Sequence, residues 1–146
     1  MTDSTKIFLL RHGETLWNTE QRLQGHKDSD LTDVGREQAL QNGLKLKSLV
    51  ADSPRFISSP LGRCRETANI VANAIGFDPS RIEYEDRVKE ISFGAWEGQQ
   101  IGDIQTQDSG AFQMRKKNRW DIPAPNGESY SMVAERLKDR LSEVKG

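Results

Sequence analysis

The chain has 146 residues, of which 34% are hydrophobic and 29% charged, and these proportions are typical of a globular protein and not of a disordered one. Its 21 basic and 22 acidic residues leave a net charge of −1, which argues against a nucleic-acid-binding protein, because such proteins usually carry a strongly basic face. This length suits one domain with a single core, over residues 1–146.

Cys64 is the only cysteine, so the chain cannot form an internal disulfide and a reducing compartment, the cytoplasm, is expected. The longest early apolar run, residues 7–10, is too short for a signal-peptide core or a membrane span. We therefore expect neither a membrane nor a nucleic acid as a partner.

The first predicted element is a strand over residues 6–10, because a short continuous apolar run is typical of a strand covered on both faces in a parallel sheet. Residues 11–30 lack periodicity and are predicted to form a long loop, of the kind that is usually functional. A helix follows from Thr32 or Asp33 to about residue 50. Its predicted apolar stripe consists of Ala39, Leu40, Gly43, Leu44, Leu46 and Val50.

Residues 56–58 are predicted to form a second strand, and residues 62–74 a helix that ends at Gly76. One face of this helix carries Cys64, Thr67, Ala68, Val71, Ala72 and Ile75. A third strand over residues 81–84 precedes a loop over residues 92–98.

The last third of the chain is predicted to be helical with one loop. Residues 101–118 are weakly patterned and are expected to hold one or two short helices, whereas the prolines and glycine of residues 120–128 predict a loop. A final amphipathic helix over residues 131–144 has five predicted inward positions: Val133, Ala134, Leu137, Leu141 and Val144. The order of strands and helices predicts an α/β fold in three layers, with a mostly parallel central sheet flanked by helices.

Residues 11–15, Arg-His-Gly-Glu-Thr, follow the first predicted strand directly, and ligands of α/β sheets bind beyond the carboxyl ends of strands. A neutral imidazole is a competent nucleophile toward phosphorus, and an adjacent arginine offers a planar fork that matches phosphate oxygens. An isolated Arg-His pair at a strand end is usually only a surface feature, but the five-residue string is far more specific. It predicts a phosphate pocket around His12.

This string resembles the signature of the histidine phosphatase superfamily, which includes the cofactor-dependent phosphoglycerate mutases. The resemblance extends over nearly the whole chain, through Asn18, residues 24–25, residues 30–32, Gly35, residues 58–63, residues 67–68, Glu90, residues 93–98 and residues 125–129.

The resemblance implies that His12 attacks the phosphoryl group and becomes phosphohistidine. Arg11 and Arg63 would clamp the equatorial oxygens, because fixed guanidinium groups stabilise the charge that these oxygens carry in the transition state. Arg63 also lies at a helix start, where backbone N–H groups favour an anion. Glu90 would be the general acid and base, and Asn18 would hydrogen-bond the phosphoryl group. The implied substrate is a small phosphomonoester.

Three other features are assigned from the residues themselves. His26 is predicted to be an exposed loop residue, and two histidines without an Asp or Cys cluster do not make a metal site, so neither a metal nor another cofactor is expected. Cys64 lies on an apolar stripe and is predicted to belong to the core. The basic run 115–117 is predicted to be solvated, with a rim for an anionic substrate as the family-based alternative.

The chain departs from the family pattern in two places. Where the mutases place an aromatic hydroxyl and a lysine, it has Phe93 and Ile101, and its short Trp-containing loop resembles that of the small phosphatases. The family's second catalytic histidine, which follows the last helix on a buried strand, has no counterpart. Because such a strand would contribute about 7–15 kcal/mol, comparable to the stability of a domain, we expect a shortened form of a longer chain, incomplete at its C-terminal end.

Three functions remain open at this point. The favoured one is a phosphomonoester hydrolase that acts through His12; the alternatives are a phosphoglycerate mutase and a non-catalytic phosphate-binding or interaction module. The exposed sheet edge of a shortened domain would favour pairing with a second copy, as a homodimer.

Overall fold

The computed structural model describes residues 5–52 and 54–144. Within these ranges the helices and strands are, in chain order, α1 Leu16–Thr19, α2 Asp33–Leu46, β1 Ile57–Ser58, α3 Gly62–Ile75, β2 Glu83–Tyr84, α4 Ile101–Gln107, α5 Ser109–Lys117 and α6 Tyr130–Val144. Short 3₁₀ turns occupy Pro79–Arg81, Asp86–Val88 and Gly94–Trp96. No helix in the described part of the chain is both long enough and apolar enough to cross a bilayer.

The two strands pair in parallel, with Ile57 beside Glu83 and Ser58 beside Tyr84. Helix α3 forms the connection between them, as a parallel pair requires. It ends at Gly76, whose φ of 76° is left-handed, a conformation that glycine adopts without a steric penalty. The α/β class and the strand–helix–strand order of this part of the chain are confirmed.

The predicted strand over residues 6–10 is wrong. Residues 5–10 form no strand, and their backbone groups make no hydrogen bond to another residue in the described ranges. Ile7 is 54% exposed and Leu9 92%. An apolar run becomes a strand only where a neighbour pairs with its N–H and C=O groups, and no described strand lies beside this one.

Helix α2 is capped by Thr32, whose hydroxyl accepts a hydrogen bond from the N–H of Gly35 at 3.0 Å. The buried positions of α2 are its small residues, Gly35, Ala39 and Gly43. A Cβ on Gly43 would lie 2.6 Å from the Cβ of Ala74 in α3, so the two helices approach closely. The buried stripe of α2 is therefore narrower than predicted, since Leu40 and Leu44 are 38% and 49% exposed. Helix α2 also ends earlier than predicted, at Leu46 instead of residue 50.

The apolar core of the described residues is divided into two small clusters. The first joins α3 to β1 and β2 through Ala68, Ala72 and Ile82, with Phe56 and Phe77 packed against them. The second joins α4 and α5 to the loops around them through Trp96, Ile104 and Ala124, with Leu23, Phe93, Ala111 and Phe112 at its border. Trp96 also donates its indole N–H to Asp108 at 2.9 Å.

Helix α6 forms where it is predicted, but its inward face differs. Ala134 and Leu141 are exposed, and Arg140 is the buried residue of this helix. The Arg140 guanidinium lies 3.4 Å from Glu83 and 3.5 Å from Glu85. Val133, Leu137 and Val144 are half-buried, so the ion pairs to the β2 region add to an aliphatic face that is only partly covered.

Candidate active site

His12 lies in the irregular segment between residue 10 and α1, half-buried, with Arg11 exposed before it. Its Nδ1–H donates a hydrogen bond to the carbonyl oxygen of Gly13 at 2.7 Å, which leaves Nε2 as the unprotonated nitrogen of the neutral ring. Burial lowers the pKa of His12 below its ordinary 6.5; the bond to Gly13 opposes this shift, and the positive charges of Arg63 and Arg11 lower the pKa further. The imidazole is therefore neutral and nucleophilic at neutral pH.

Gly13 anchors this segment to two helices. Its N–H donates to the hydroxyl of Thr67 at 3.1 Å, and that hydroxyl donates to the carbonyl oxygen of Arg63 at 2.8 Å. A Cβ at Gly13 would collide with the carbonyl oxygen of Gly35 at the start of α2. A glycine at this position thus allows His12 to lie between the N-terminal ends of α2 and α3.

Asn18 belongs to a capping box at the start of α1. Its Oδ1 accepts hydrogen bonds from the N–H of Thr15 at 3.0 Å and from the Thr15 hydroxyl at 3.1 Å. Because the carbonyl end of the amide is used in this way, the side-chain NH₂ is the end left for a ligand. Asn18 is therefore oriented as a hydrogen-bond donor.

A cavity of about 930 Å³ contains three of the predicted site residues, Arg11, His12 and Asn18. Its opposite wall is the polar face of α2, made by Asp33, Glu37, Gln38, Gln41, Asn42 and Lys45. Arg63 and Glu90 do not line this cavity, so the five predicted residues are divided between the cavity and its surroundings.

Arg63 is 2% exposed and its guanidinium is held by a loop. Nη1 donates to the carbonyl oxygen of Lys27 and to the carboxylate of Asp28, both at 2.8 Å, and Nη2 donates to the carbonyl oxygen of Gly25 at 2.7 Å. Its Nε is buried and has no partner among the described residues. Three of its five N–H donors are thus used, and neither the Nε–H nor the second Nη2–H donates to a described residue. The charge of Arg63 also acts on His12.

The N-terminus of α3 is occupied by Asp28. Its carboxylate accepts hydrogen bonds from the N–H of Gly62 at 2.6 Å and from that of Arg63 at 3.3 Å. The N–H groups that were expected to attract a phosphate are therefore engaged by a side chain of the protein. The sequence contained one signal for this: Leu61 precedes α3 and makes no side-chain cap, so an acceptor from elsewhere was needed, although its identity was not predictable.

Glu90 is exposed, and its charge acts on His12. One carboxylate oxygen accepts a hydrogen bond from the N–H of Ile91 at 2.8 Å. Its carbonyl oxygen accepts one from Nε2–H of His26 at 2.8 Å and one from Arg136 at 3.0 Å. The backbone of Glu90 is thus fixed, while its second carboxylate oxygen accepts no hydrogen bond from the part of the chain that the structure describes. His26 is exposed, as predicted.

Two other predictions near the site have mixed outcomes. Cys64 is half-buried, and burial raises the pKa of its thiol, which disfavours a nucleophilic thiolate. The basic run is solvated only at Lys116 and Lys117; Arg115 is 8% exposed, and its guanidinium lies 5.1 Å from the centre of the Phe93 ring.

Comparison with known proteins matches residues 7–146 to the histidine phosphatase superfamily (branch 1). The "Probable phosphoglycerate mutase GpmB" of Salmonella paratyphi C is 38% identical over 137 residues, which cover 94% of this chain and 61% of that protein. The chain therefore spans about three fifths of the length of this relative.

Solved structures show the same similarity. Bacillus stearothermophilus YhfR is 34% identical with a TM-score of 0.79, over 92% of this chain and 64% of that one. The mycobacterial glucosyl-3-phosphoglycerate phosphatase Rv2419c, in its complex with VO3, is 26% identical with a TM-score of 0.80, over 91% and 61%. The match to the family covers nearly the whole sequence and includes the segment that carries His12. The chain belongs to the histidine phosphatase superfamily.

Proposed function

We propose that this protein hydrolyses phosphomonoesters through a phosphohistidine intermediate on His12. The observation that carries the proposal is the state of His12, whose Nδ1–H is bound to Gly13 and whose pKa is lowered by burial and by two arginines. A neutral imidazole with a free Nε2 in a cationic surrounding is suited to attack an anionic phosphoryl group.

The proposed reaction has two steps. In the first, Nε2 of His12 forms a bond to phosphorus while the bond to the leaving oxygen breaks, and Glu90 gives its proton to that oxygen. In the second, Glu90 accepts a proton from a water molecule, the water oxygen binds phosphorus, and the N–P bond breaks to release phosphate. Arg11, Arg63 and Asn18 would bind the phosphoryl oxygens through both steps.

The test is turnover of p-nitrophenyl phosphate and of a panel of natural phosphomonoesters, with and without His12→Ala. We expect His12→Ala to lower kcat by roughly 10³-fold or more and to abolish an acid-labile phosphoryl label on the protein. Lys138→Ala, an exposed change on α6, is the control and should retain both. Turnover that survives His12→Ala would contradict the mechanism.

A phosphoglycerate mutase is the second candidate, because the relative that is 38% identical carries that name. Phe93 and Ile101, which occupy the positions of the mutases' hydroxyl and lysine, favour the phosphatase. Interconversion of phosphoglycerates that depends on a bisphosphoglycerate, without net phosphate release, would identify the mutase instead.

A non-catalytic phosphate-binding module is the third candidate, because Glu90, the proposed acid, does not line the cavity that contains His12. Binding of inorganic phosphate that requires His12, without labelling by any phosphoryl donor, would favour it. We further propose a cytoplasmic location, from the single cysteine, and a small phosphomonoester as the partner, with no nucleic acid and no membrane.

A further inference from the structure

Glu97 is a buried carboxylate, 9% exposed, and the proposed reaction gives it no role. Its Oε1 accepts hydrogen bonds from the N–H of His26 at 3.0 Å, from the N–H of Phe93 at 3.0 Å and from the Ser92 hydroxyl at 3.1 Å. Its Oε2 accepts one from the N–H of Lys27 at 3.2 Å. The four donors come from two loops that are far apart in the sequence.

The first of these loops holds Arg63. Glu97 binds the N–H groups of His26 and Lys27, and the carbonyl oxygens of Gly25 and Lys27 accept the two hydrogen bonds at 2.7 and 2.8 Å that orient the Arg63 guanidinium. A shift of residues 26 and 27 would therefore move the acceptors that fix the arginine. Gly25 is closely packed here, since a Cβ on it would collide with the Glu97 carboxylate.

The second loop carries Glu90. Ser92 and Phe93, which donate to Glu97, follow Glu90 by two and three residues. The His26 ring, whose backbone N–H Glu97 binds, donates to the carbonyl oxygen of Glu90 at 2.8 Å. Glu97 is thus bound at the same time to the loop that orients the phosphate-binding arginine and to the loop of the proposed acid.

Glu97 is a carboxylate, not a carboxylic acid, in this position. Burial, the largest single effect, raises its pKa, but the hydrogen bonds donated by His26, Phe93, Ser92 and Lys27 together outweigh it and lower the pKa below 4.5. An ionised carboxylate accepts hydrogen bonds only and can therefore receive all four donors at neutral pH.

We propose that Glu97 is a positioning residue that holds the Gly25–Lys27 loop, and with it Arg63, in a fixed relation to the loop of Glu90. This proposal rests on the proposed phosphatase function for its kinetic consequences. Its structural consequence, the order of the two loops, can be measured whether or not the protein turns over a substrate.

Two substitutions separate the two halves of this arrangement. Glu97→Ala removes all four acceptor contacts. In Glu97→Gln the carbonyl oxygen should take the place of Oε1, where three donors converge, and the NH₂ should then face the N–H of Lys27. Glu97→Gln therefore disturbs the loop of Arg63 at Lys27 alone, and leaves the hydrogen bonds from His26, Ser92 and Phe93 in place.

The experiment measures kcat and KM on p-nitrophenyl phosphate, inhibition by inorganic phosphate, and amide hydrogen exchange. For Glu97→Ala we expect kcat to fall about 100-fold, the effect of a displacement near 1 Å in a catalytic group, with faster exchange in both loops. For Glu97→Gln we expect KM and the phosphate inhibition constant to rise about tenfold, the effect of weakening one charge-assisted hydrogen bond from Arg63 to the phosphate. We expect kcat to stay within about threefold of wild type, and amide exchange to become faster at Lys27.

Glu85→Gln is the matched control. Glu85 also accepts a backbone hydrogen bond, from the N–H of Arg87 at 3.0 Å, but on the β2 side of the molecule, so both constants should stay unchanged. If Glu97→Ala folds and its kcat, KM and exchange rates equal those of Glu85→Gln, the proposal is overturned. If Glu97→Ala does not fold, the same comparison is made with Glu97→Gln, and constants equal to those of Glu85→Gln overturn the proposal. If the wild-type chain shows no turnover, the proposed function fails alone; unchanged exchange in both loops would then overturn the role of Glu97.

Discussion

At the scale of single residues, the chemistry of His12 depends on a few short contacts. The hydrogen bond from Nδ1–H to Gly13 selects the tautomer, and burial keeps the ring neutral. Arg63 contributes mainly its charge and two N–H groups that bind no described residue, because its three other donors are bound to Gly25, Lys27 and Asp28. This loop orients the arginine before a ligand arrives, so little reorganisation is needed on binding.

The lowered pKa of His12 predicts the pH dependence of the reaction. Since the folded pKa lies below 6.5, the acidic limb of the kcat/KM profile that reports His12 should have its midpoint below pH 6.5. Between the folded pKa and 6.5 the unfolded chain binds more protons at this site, so the His12 contribution to the free energy of unfolding rises with pH in that window and is lost as the pH falls.

The measurement is an NMR titration of the two imidazoles together with the pH–rate profile. The pKa of His12 should lie below 6.5, and His12→Asn should remove that transition. A His12 midpoint at or above 6.5 would contradict the structure.

At the scale of elements, the helices are held by different forces. Helices α2 and α3 approach through small residues, with Gly43 against Ala74, whereas α6 is bound through charged groups. Arg136 donates to Glu128 at 2.9 Å and to the carbonyl oxygens of Arg87 and Lys89 at 2.6 and 2.8 Å. Arg140 adds the ion pairs to the β2 region.

Arg140→Met tests this attachment of α6. Methionine keeps an apolar stem but leaves Glu83 and Glu85 without this cation, so we expect the free energy of unfolding to fall by about 1.5–3 kcal/mol. The loss should stay below that of a fully buried pair because Glu83 is 44% exposed in its side chain. Urea denaturation measures it, and Lys138→Met, exposed on the same helix, should change it by about 0.5 kcal/mol or less. Equal effects of both substitutions would argue against ion-pair attachment.

At the scale of the whole molecule, the apolar residues are unevenly covered. Two small clusters lie inside, while the contiguous run Ile7, Phe8, Leu9 and Leu10 is 39–92% exposed. An exposed apolar segment whose backbone groups pair with no described residue favours association, and we propose on this ground that two copies of this chain pair.

Leu9→Lys tests that association. A charge at the most exposed position of the run should shift the protein toward the monomer in sedimentation velocity over a range of concentrations, whereas Met114→Lys, at an isolated position that is 59% exposed, should not. A wild-type chain that is monomeric at every concentration would refute the pairing.

The sequence by itself determined the features that depend on neighbouring residues. The family, the nucleophile candidate His12, helix α3 with its terminating glycine at residue 76 and the loop over residues 120–128 follow from motifs, caps and periodicity, which act over a few positions. For the same reason the existence of α2, α6 and the two paired strands was predictable, although their exact ends were not.

Only the tertiary structure decided which groups meet. Residues 6–10 have the composition of a strand but no partner strand among the described residues. Arg63 donates most of its hydrogen bonds to a loop about 36 positions away, and Glu97 accepts one from an N–H 71 positions away. Helix α6 buries Arg140 more fully than any of its predicted aliphatic positions. The physical reason is the same in each case: pairing of strands, charges and hydrogen-bond donors depends on distance in space, which a local pattern does not encode.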